Sequence, residues 1–352
     1  MGRVTFRDRL LGLTVVLLWG LNFLAIRAGL DHFPPLFFAA LRFVVPAVPV
    51  LLFVPRPRVP LRWLLLYGTG FGVLQFAFLF TAMREGMPTG LASLVLQSSA
   101  PFTVVLGALL LRERLAPRQL LGLAIATGGI TVIGADRLEQ AALLPLLLTL
   151  AAGLGWAFGN IGSRLAVASG PGVDPLHLTL WMTVVPPIPL FALSALTEGP
   201  GAGVRALAEL ASPTGPAALA GLAYIVVLGT VAGSGLWTYL MSRYPAGAVA
   251  PLSLLVPVVG IAAAWLVLDE TPSGTELAGA VVVIAGAFLT TVGGRGTAST
   301  SAGIDEAPRG VPGRGSVPDD ARRAGDVPAT GVCASGTAAG SAGNAPGVIP
   351  TV

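Results

Sequence analysis

In a chain this apolar, the groups able to do chemistry are few, and their positions carry most of the information. Arg42 lies seven residues past Pro35, about 10 Å along a helix. A cation at that depth in an apolar segment is unfavourable unless it faces a cavity or a partner. It reads either as an anchor for a substrate carboxylate or as an arginine that snorkels to, or caps, a helix end. Uncharged polar groups recur at similar depths. Asn22 follows Trp19 by three residues and shares its face; Trp156 and Asn160 share another. Ser93, Gln97 and Pro101 follow one another at intervals of four, giving one polar, breakable stripe. Gln75 stands midway along a third apolar segment, and Ser253 precedes Pro257 on a later one. Amides and hydroxyls donate and accept without fixed charge, which suits a polar or zwitterionic solute. The same groups can also bond helix to helix inside a bundle. Pro101 and Pro257 each remove a helical hydrogen bond, so both are candidate bending or gating points. Glu113 and Glu270 sit at helix ends, where a cap or ion pair is the plain reading and a coupling role the alternative. Gly68/Gly72, Gly155/Gly159 and Gly229/Gly233 have the spacing that lets helices approach closely.

Chemistry of other kinds is excluded by what is missing. All 21 basic residues are Arg, and no Lys occurs. No carboxylate or histidine falls inside an apolar segment away from its ends, and the two histidines, His32 and His177, are near loops. Hydrolysis or group transfer inside a membrane needs Ser/Lys, paired Asp or a His-based metal set. No catalytic residue, metal site or cofactor is therefore expected, and the chain does not read as an enzyme. The lone Cys333 cannot pair within the chain.

The elements that must hold these residues are membrane helices. Hydrophobic residues make up 54% of the chain and charged residues 11%, against roughly 25% charged in soluble domains. Such a chain cannot cover itself with polar surface, whereas a bilayer is itself an apolar solvent. A span needs roughly 20 apolar residues. Ten candidates meet this: 10–29, 35–54, 62–83, 88–111, 117–135, 141–165, 176–196, 216–241, 246–268 and 276–293. The first has a basic lead and could pass for a signal peptide, but no cleavage site with a soluble domain follows, so a retained span is expected. Arg3, Arg7 and Arg9, then Arg56, Arg58 and Arg62, then Arg112, Arg114 and Arg118 all fall on one side of the predicted topology. The positive-inside rule places that side, and with an even span count both termini, in the cytoplasm. The same rule accounts for the net charge of +4 without nucleic acid. From about residue 294 the chain turns to Gly, Ala, Pro, Ser and Thr, the composition of a disordered tail.

The apolar part repeats. LLWGLNFLAIR (17–27) parallels LGWAFGNIGSR (154–164), each with an Arg eight residues after its Trp. Residues 86–115 parallel 244–272, with Pro101 and Pro257 mid-span and Glu113 and Glu270 terminal. Two copies of a five-span unit must enter the membrane from opposite sides, because five is odd. The expected fold is thus all-α and polytopic, with ten transmembrane helices in two inverted five-helix repeats, 1–140 and 141–293, and the tail at 294–352.

These motifs carry a resemblance. WGLNFLAIRAGLDHFPPLFFAALRF (19–43), GMPTGLASLVLQ (86–97) and RYPAGAVAPLSLLVPVVGIAAAWLVLDE (243–270) are similar to the drug/metabolite transporter superfamily. Within it, they look most like EamA-type exporters of the O-acetylserine/cysteine branch. The likeness covers residues 10–293. It implies a bacterial inner (plasma) membrane protein and a central cavity lined by the first four spans of each half. It also implies export of small polar metabolites, such as amino acids or their derivatives, by alternating access. Family positions matched here are Trp19, Asn22, Arg42, Gln97, Trp156, Asn160 and Pro257. On that reading Asn22, Gln97 and Asn160 would bond the solute, Trp19 and Trp156 would wall it, and Arg42 would steer a carboxylate. The second half departs at Met182, which stands where the first half has Arg42, and the long tail is not a family feature. Partners expected are the metabolite and the lipid bilayer, with a homodimer as a candidate assembly. The alternatives are a non-transporting sensor or assembly subunit, or an exporter of other drugs or metabolites.

Overall fold

The computed structural model describes residues 5–112, 115–139, 143–170, 172–244 and 249–292. Glu113, Cys333 and the tail expected from residue 294 lie outside the described residues. Among these every regular element is helical. Eight helices are long and apolar enough to cross a membrane: α1 (Phe6–Leu30), α2 (Pro35–Phe53), α3 (Leu61–Arg84), α4 (Thr89–Leu111), α5 (Pro117–Glu139), α6 (Leu143–Ala168), α7 (Pro175–Thr197) and α8 (Gly215–Leu240). Two shorter apolar helices follow, α9 (Leu252–Leu268) and α10 (Gly274–Val292). Each helix matches one expected span to within a few residues. Proline marks the starts of α2, α5 and α7, where its missing N–H has no helical acceptor to lose.

Large apolar side chains cover the outside. Leu51, Leu109, Leu266 and Val281 are all more than half exposed. Water would penalise that surface, while lipid does not. Inside, α1 packs against α8 and α9, and α6 packs against α3 and α4. α2 lies on α7, α4 on α9, and α5 on α10.

Several helices depart from regular geometry, which the apolar periodicity does not reveal. In α3, Gly68–Leu74 is π-helical, and so is Tyr224–Ala232 in α8. In α4, Leu96–Ser98 is a 3₁₀ turn placed just before Pro101, whose ring has no N–H for the preceding turn. A 3₁₀ segment, Ala250–Leu255, likewise precedes Pro257 and opens α9. α7 is interrupted between Met182 and Pro187. Between α7 and α8 lies a short helix, Ala202–Ala208.

One end of the bundle is tied by contacts between helix termini. Glu198, closing α7, accepts from the backbone N–H groups of Leu36 (2.6 Å) and Phe37 (3.1 Å) at the start of α2. Arg84, closing α3, donates to the carbonyl of Leu30 at 2.6 Å. Glu270 accepts from Gly90 N–H at the start of α4, at 3.1 Å. A carboxylate on the free N–H groups of a helix start is stabilising through both hydrogen bonds and the helix dipole. Glu198→Ala should therefore lower stability by about 1–2 kcal/mol, with Glu198→Gln recovering part of it. Thermal melts of the purified protein in detergent test this; an unchanged melting temperature in the alanine variant refutes it.

Candidate functional site

A cavity of about 360 Å³ lies between the helices. Its walls come from α1, α2, α3, α4, α6, α7, α8 and α9; no described residue of α5 or α10 reaches it. All nine residues singled out as solute contacts line it: Trp19, Asn22, Arg42, Gln75, Ser93, Gln97, Trp156, Asn160 and Ser253.

Among the described residues Arg42 is its only charged lining residue, and it is buried at 7% exposure. Its Nη2 donates to Thr230 Oγ1 at 3.4 Å, and its guanidinium stands 4.0 Å from the centre of the Phe76 ring. Among the described residues its Nε and Nη1 have no hydrogen-bond partner. The side chain lines the cavity and bonds to Thr230 within α8, not to a helix end. Met182, seven residues past Pro175 on α7 as Arg42 is past Pro35 on α2, also lines the cavity.

The π-helical turn of α8 supplies part of the wall. A π turn leaves backbone carbonyls without their usual helical donors. Trp19 Nε1 donates to the carbonyl of Gly229 at 3.1 Å, and Thr230 Oγ1 donates to the carbonyl of Ile225 at 2.9 Å. Glycine is required here because a Cβ at Gly229 would stand 2.5 Å from Asn22 Oδ1, and one at Gly233 2.6 Å from Trp19 Nε1. Trp19 in turn meets Trp237, ring centres 5.2 Å apart. On the other side, Trp156 of α6 meets Phe71 edge to face at 5.9 Å.

The amide residues are not equivalent. Gln97 Nε2 donates to the carbonyl of Ser253 at 3.4 Å, tying α4 to α9. Asn160 Nδ2 donates to Thr103 Oγ1 at 3.0 Å, tying α6 to α4. Ser93 is almost fully buried and donates back to the carbonyl of Gly90 at 2.6 Å. By contrast Asn22 Oδ1 and Gln75 Oε1 are buried with no hydrogen-bond partner among the described residues. The two prolines stand behind the site, buried but not lining it. Glu270 lies away from the cavity, on a smaller pocket of about 160 Å³ between α4, α9 and α10.

Thr230, Trp237, Tyr67, Phe71, Phe76 and Thr179 also line the cavity and were not foreseen. A signal existed for α8: Thr230, Ser234 and Thr238 recur every four residues and all face the site. The aromatic residues carried no such signal, because a buried Phe reads alike in a core and in a cavity wall.

No group of three or more His, Cys, Asp or Glu suited to a metal ion occurs among the described residues.

The family model for the EamA-like transporter family matches residues 9–135 and again residues 143–292. A relative described as "Probable amino-acid metabolite efflux pump" from Escherichia coli (strain K12) is 43% identical over 289 residues, covering 82% of this chain and 95% of its own. A protein of the same description from Salmonella typhimurium (strain LT2) is 44% identical, covering 82% of this chain and 96% of its own. A "Probable terminal-alkyne amino-acid exporter" from Streptantibioticus cattleyicolor is 29% identical, with coverage of 82% and 95%. One solved crystal structure matches with a TM-score of 0.54 at 21% identity, over 81% of this chain and 97% of its own, which speaks to the fold alone. The two matched segments hold all the helices that wall the cavity, and the chain belongs to the EamA-like transporter family.

Proposed function

We propose that the chain exports amino acids or small derivatives of them, such as O-acetylserine and cysteine, by alternating access through this cavity. The observation that carries the reading is the convergence of the nine residues named from the sequence, carried on six helices, on one cavity whose one charged residue among those described is the buried Arg42. The names of the relatives from Escherichia coli and Salmonella typhimurium support the substrate class.

Ten spans in two inverted halves, 1–140 and 141–293, fit the irregular elements. The π turns of α3 and α8 fall at corresponding places. So do the 3₁₀ turns of α4 and α9, and the left-handed ends at Arg112 and Asp269, both with φ of 55°. Helix partners also exchange as an inverted pair would require: α6 lies on α3 and α4, as α1 lies on α8 and α9. With both termini in the cytoplasm of an inner (plasma) membrane protein, the ends tied by Glu198, Arg84 and Glu270 face outward. Tyr67, Thr179, Thr238 and Ser253 then extend the cavity towards the cytoplasm. Rocking of the halves would break the ties made by Glu198 and Glu270, which run from one half to the other, and expose the site on the other side. Pro101 and Pro257, beside the 3₁₀ turns, are the bending points, and Glu270 and Glu113 are the candidates for coupling to protons.

The test is transport by purified protein in liposomes, with labelled O-acetylserine, cysteine and a panel of amino acids, with and without an imposed pH gradient. Saturable flux of at least one of these solutes above protein-free liposomes is expected. No flux for any of them sinks the proposal. A flux indifferent to the pH gradient removes the coupling role from Glu270 and Glu113 while leaving the carrier.

A further inference from the structure

We infer that the cavity reads its solute as a dipole. Arg42 takes the carboxylate, and the side-chain oxygens of Asn22 and Gln75 take the free α-ammonium group. This rests on the export reading above and deepens it, because it names the feature a transported solute must have: both charged ends of an unmodified amino acid.

Buried polar groups are almost always hydrogen-bonded, and exceptions call for an explanation. In this cavity the unmatched donors are Arg42 Nε and Nη1, and the unmatched acceptors are Asn22 Oδ1 and Gln75 Oε1. Donors on a cation match a carboxylate, and carbonyl-type acceptors match an ammonium group. A plain anion would satisfy the first pair and leave the second dry. Gln97 and Asn160 are held to Ser253 and Thr103 through their amide N–H groups, and their oxygens are not among the buried unmatched atoms.

The two kinds of atom belong to side chains that line one cavity. Asn22 Oδ1 lies against Gly229, and Thr230 beside it accepts from Arg42. The Arg42 guanidinium stacks on Phe76. The cation comes from α2 and the acceptors from α1 and α3, so a single solute in the cavity would meet both kinds of group. Exposures of 9% for Asn22, 7% for Arg42 and 3% for Gln75 keep these groups poorly solvated, so a solute lacking one pole loses that interaction without full compensation from water.

Competition in liposomes against labelled cysteine under reducing conditions tests the inference. The competitors are unlabelled cysteine, N-acetylcysteine and 3-mercaptopropionate; the last keeps the carboxylate and thiol, lacks nitrogen and is smaller, so exclusion by size does not apply. Both analogues should compete about tenfold or more weakly than cysteine, the loss of at least one charge-assisted hydrogen bond. In Asn22→Leu/Gln75→Leu the three should become nearly equal, through a weaker cysteine and unchanged analogues. Asn22→Asp, which keeps acceptors only, should retain the preference for cysteine. Equal competition by 3-mercaptopropionate in the wild-type protein overturns the inference while leaving export intact. So does an unchanged preference in the double variant. Absence of flux for cysteine and for every other solute of the panel overturns the export reading, and this inference with it.

Discussion

Arg42→Met should all but abolish transport of carboxylate-bearing solutes while leaving the protein as stable as before, or slightly more so. Met182 stands seven residues past Pro175, as Arg42 stands seven past Pro35, and it lines the same cavity. The volume is therefore tolerable at this depth. In the folded protein Arg42 makes one long hydrogen bond, to Thr230, and a ring contact with Phe76, while two of its nitrogens go unmatched. A buried cation so poorly paired is a poor source of stability, and an apolar replacement of similar length is commonly neutral or favourable. For a bound carboxylate the balance is opposite. Two charge-assisted hydrogen bonds at about 1.5 kcal/mol each already amount to more than a hundredfold in affinity. Arg42→Lys should fall between, because an ammonium cannot offer two parallel N–H groups. Flux measurements at matched protein density, together with melting temperatures, separate the outcomes. Full flux in Arg42→Met removes the residue from the site; lost flux with a collapsed melting temperature makes its role structural.

Much of this arrangement was legible before any coordinates. Polar side chains are conspicuous in an apolar helix, so their spacing along α1, α4 and α6 marked the faces that turn inward. Arg42 could be read in two ways, because depth along a helix does not tell which way the helix faces; its position on the cavity answers that. The π turns were not legible. They depend on what the neighbouring helix offers, such as the Trp19 indole for the carbonyl of Gly229, and not on local propensity. The glycine pairs make the same point. With one spacing, Gly68/Gly72 receives Val185 and Pro186, Gly229/Gly233 receives Asn22 and Trp19, and Gly155/Gly159 meets the backbone of α3 together with the Cβ atoms of Leu74 and Phe71. Spacing shows that something comes close, but the identity of the partner is a property of the whole bundle.

That last contact sets the second large expectation: Gly70→Ala should prevent the native bundle from forming, although it adds a single methyl group. A Cβ at Gly70 would lie 2.4 Å from Gly159 N and 2.8 Å from Gly155 O, both backbone atoms of α6. Backbone cannot turn aside as a side chain can, so α3 and α6 would have to separate. Overpacking commonly costs about 1–3 kcal/mol where side chains adjust, and the cost here should exceed that range. The separation would also pull Phe71 and Gln75 on α3 away from Trp156 and Asn160 on α6, opening the wall of the cavity. Gly128→Ala on α5 is the matched control, because nothing stands within 4 Å of a Cβ there. Alanine is the better helix former by about 1 kcal/mol, so that variant should be neutral or stabilised. Size-exclusion profiles and melting curves in detergent check the pair. A monodisperse Gly70→Ala protein with wild-type stability would mean that α3 and α6 do not touch backbone to backbone, and the cavity between them would lose the wall on which the transport argument depends.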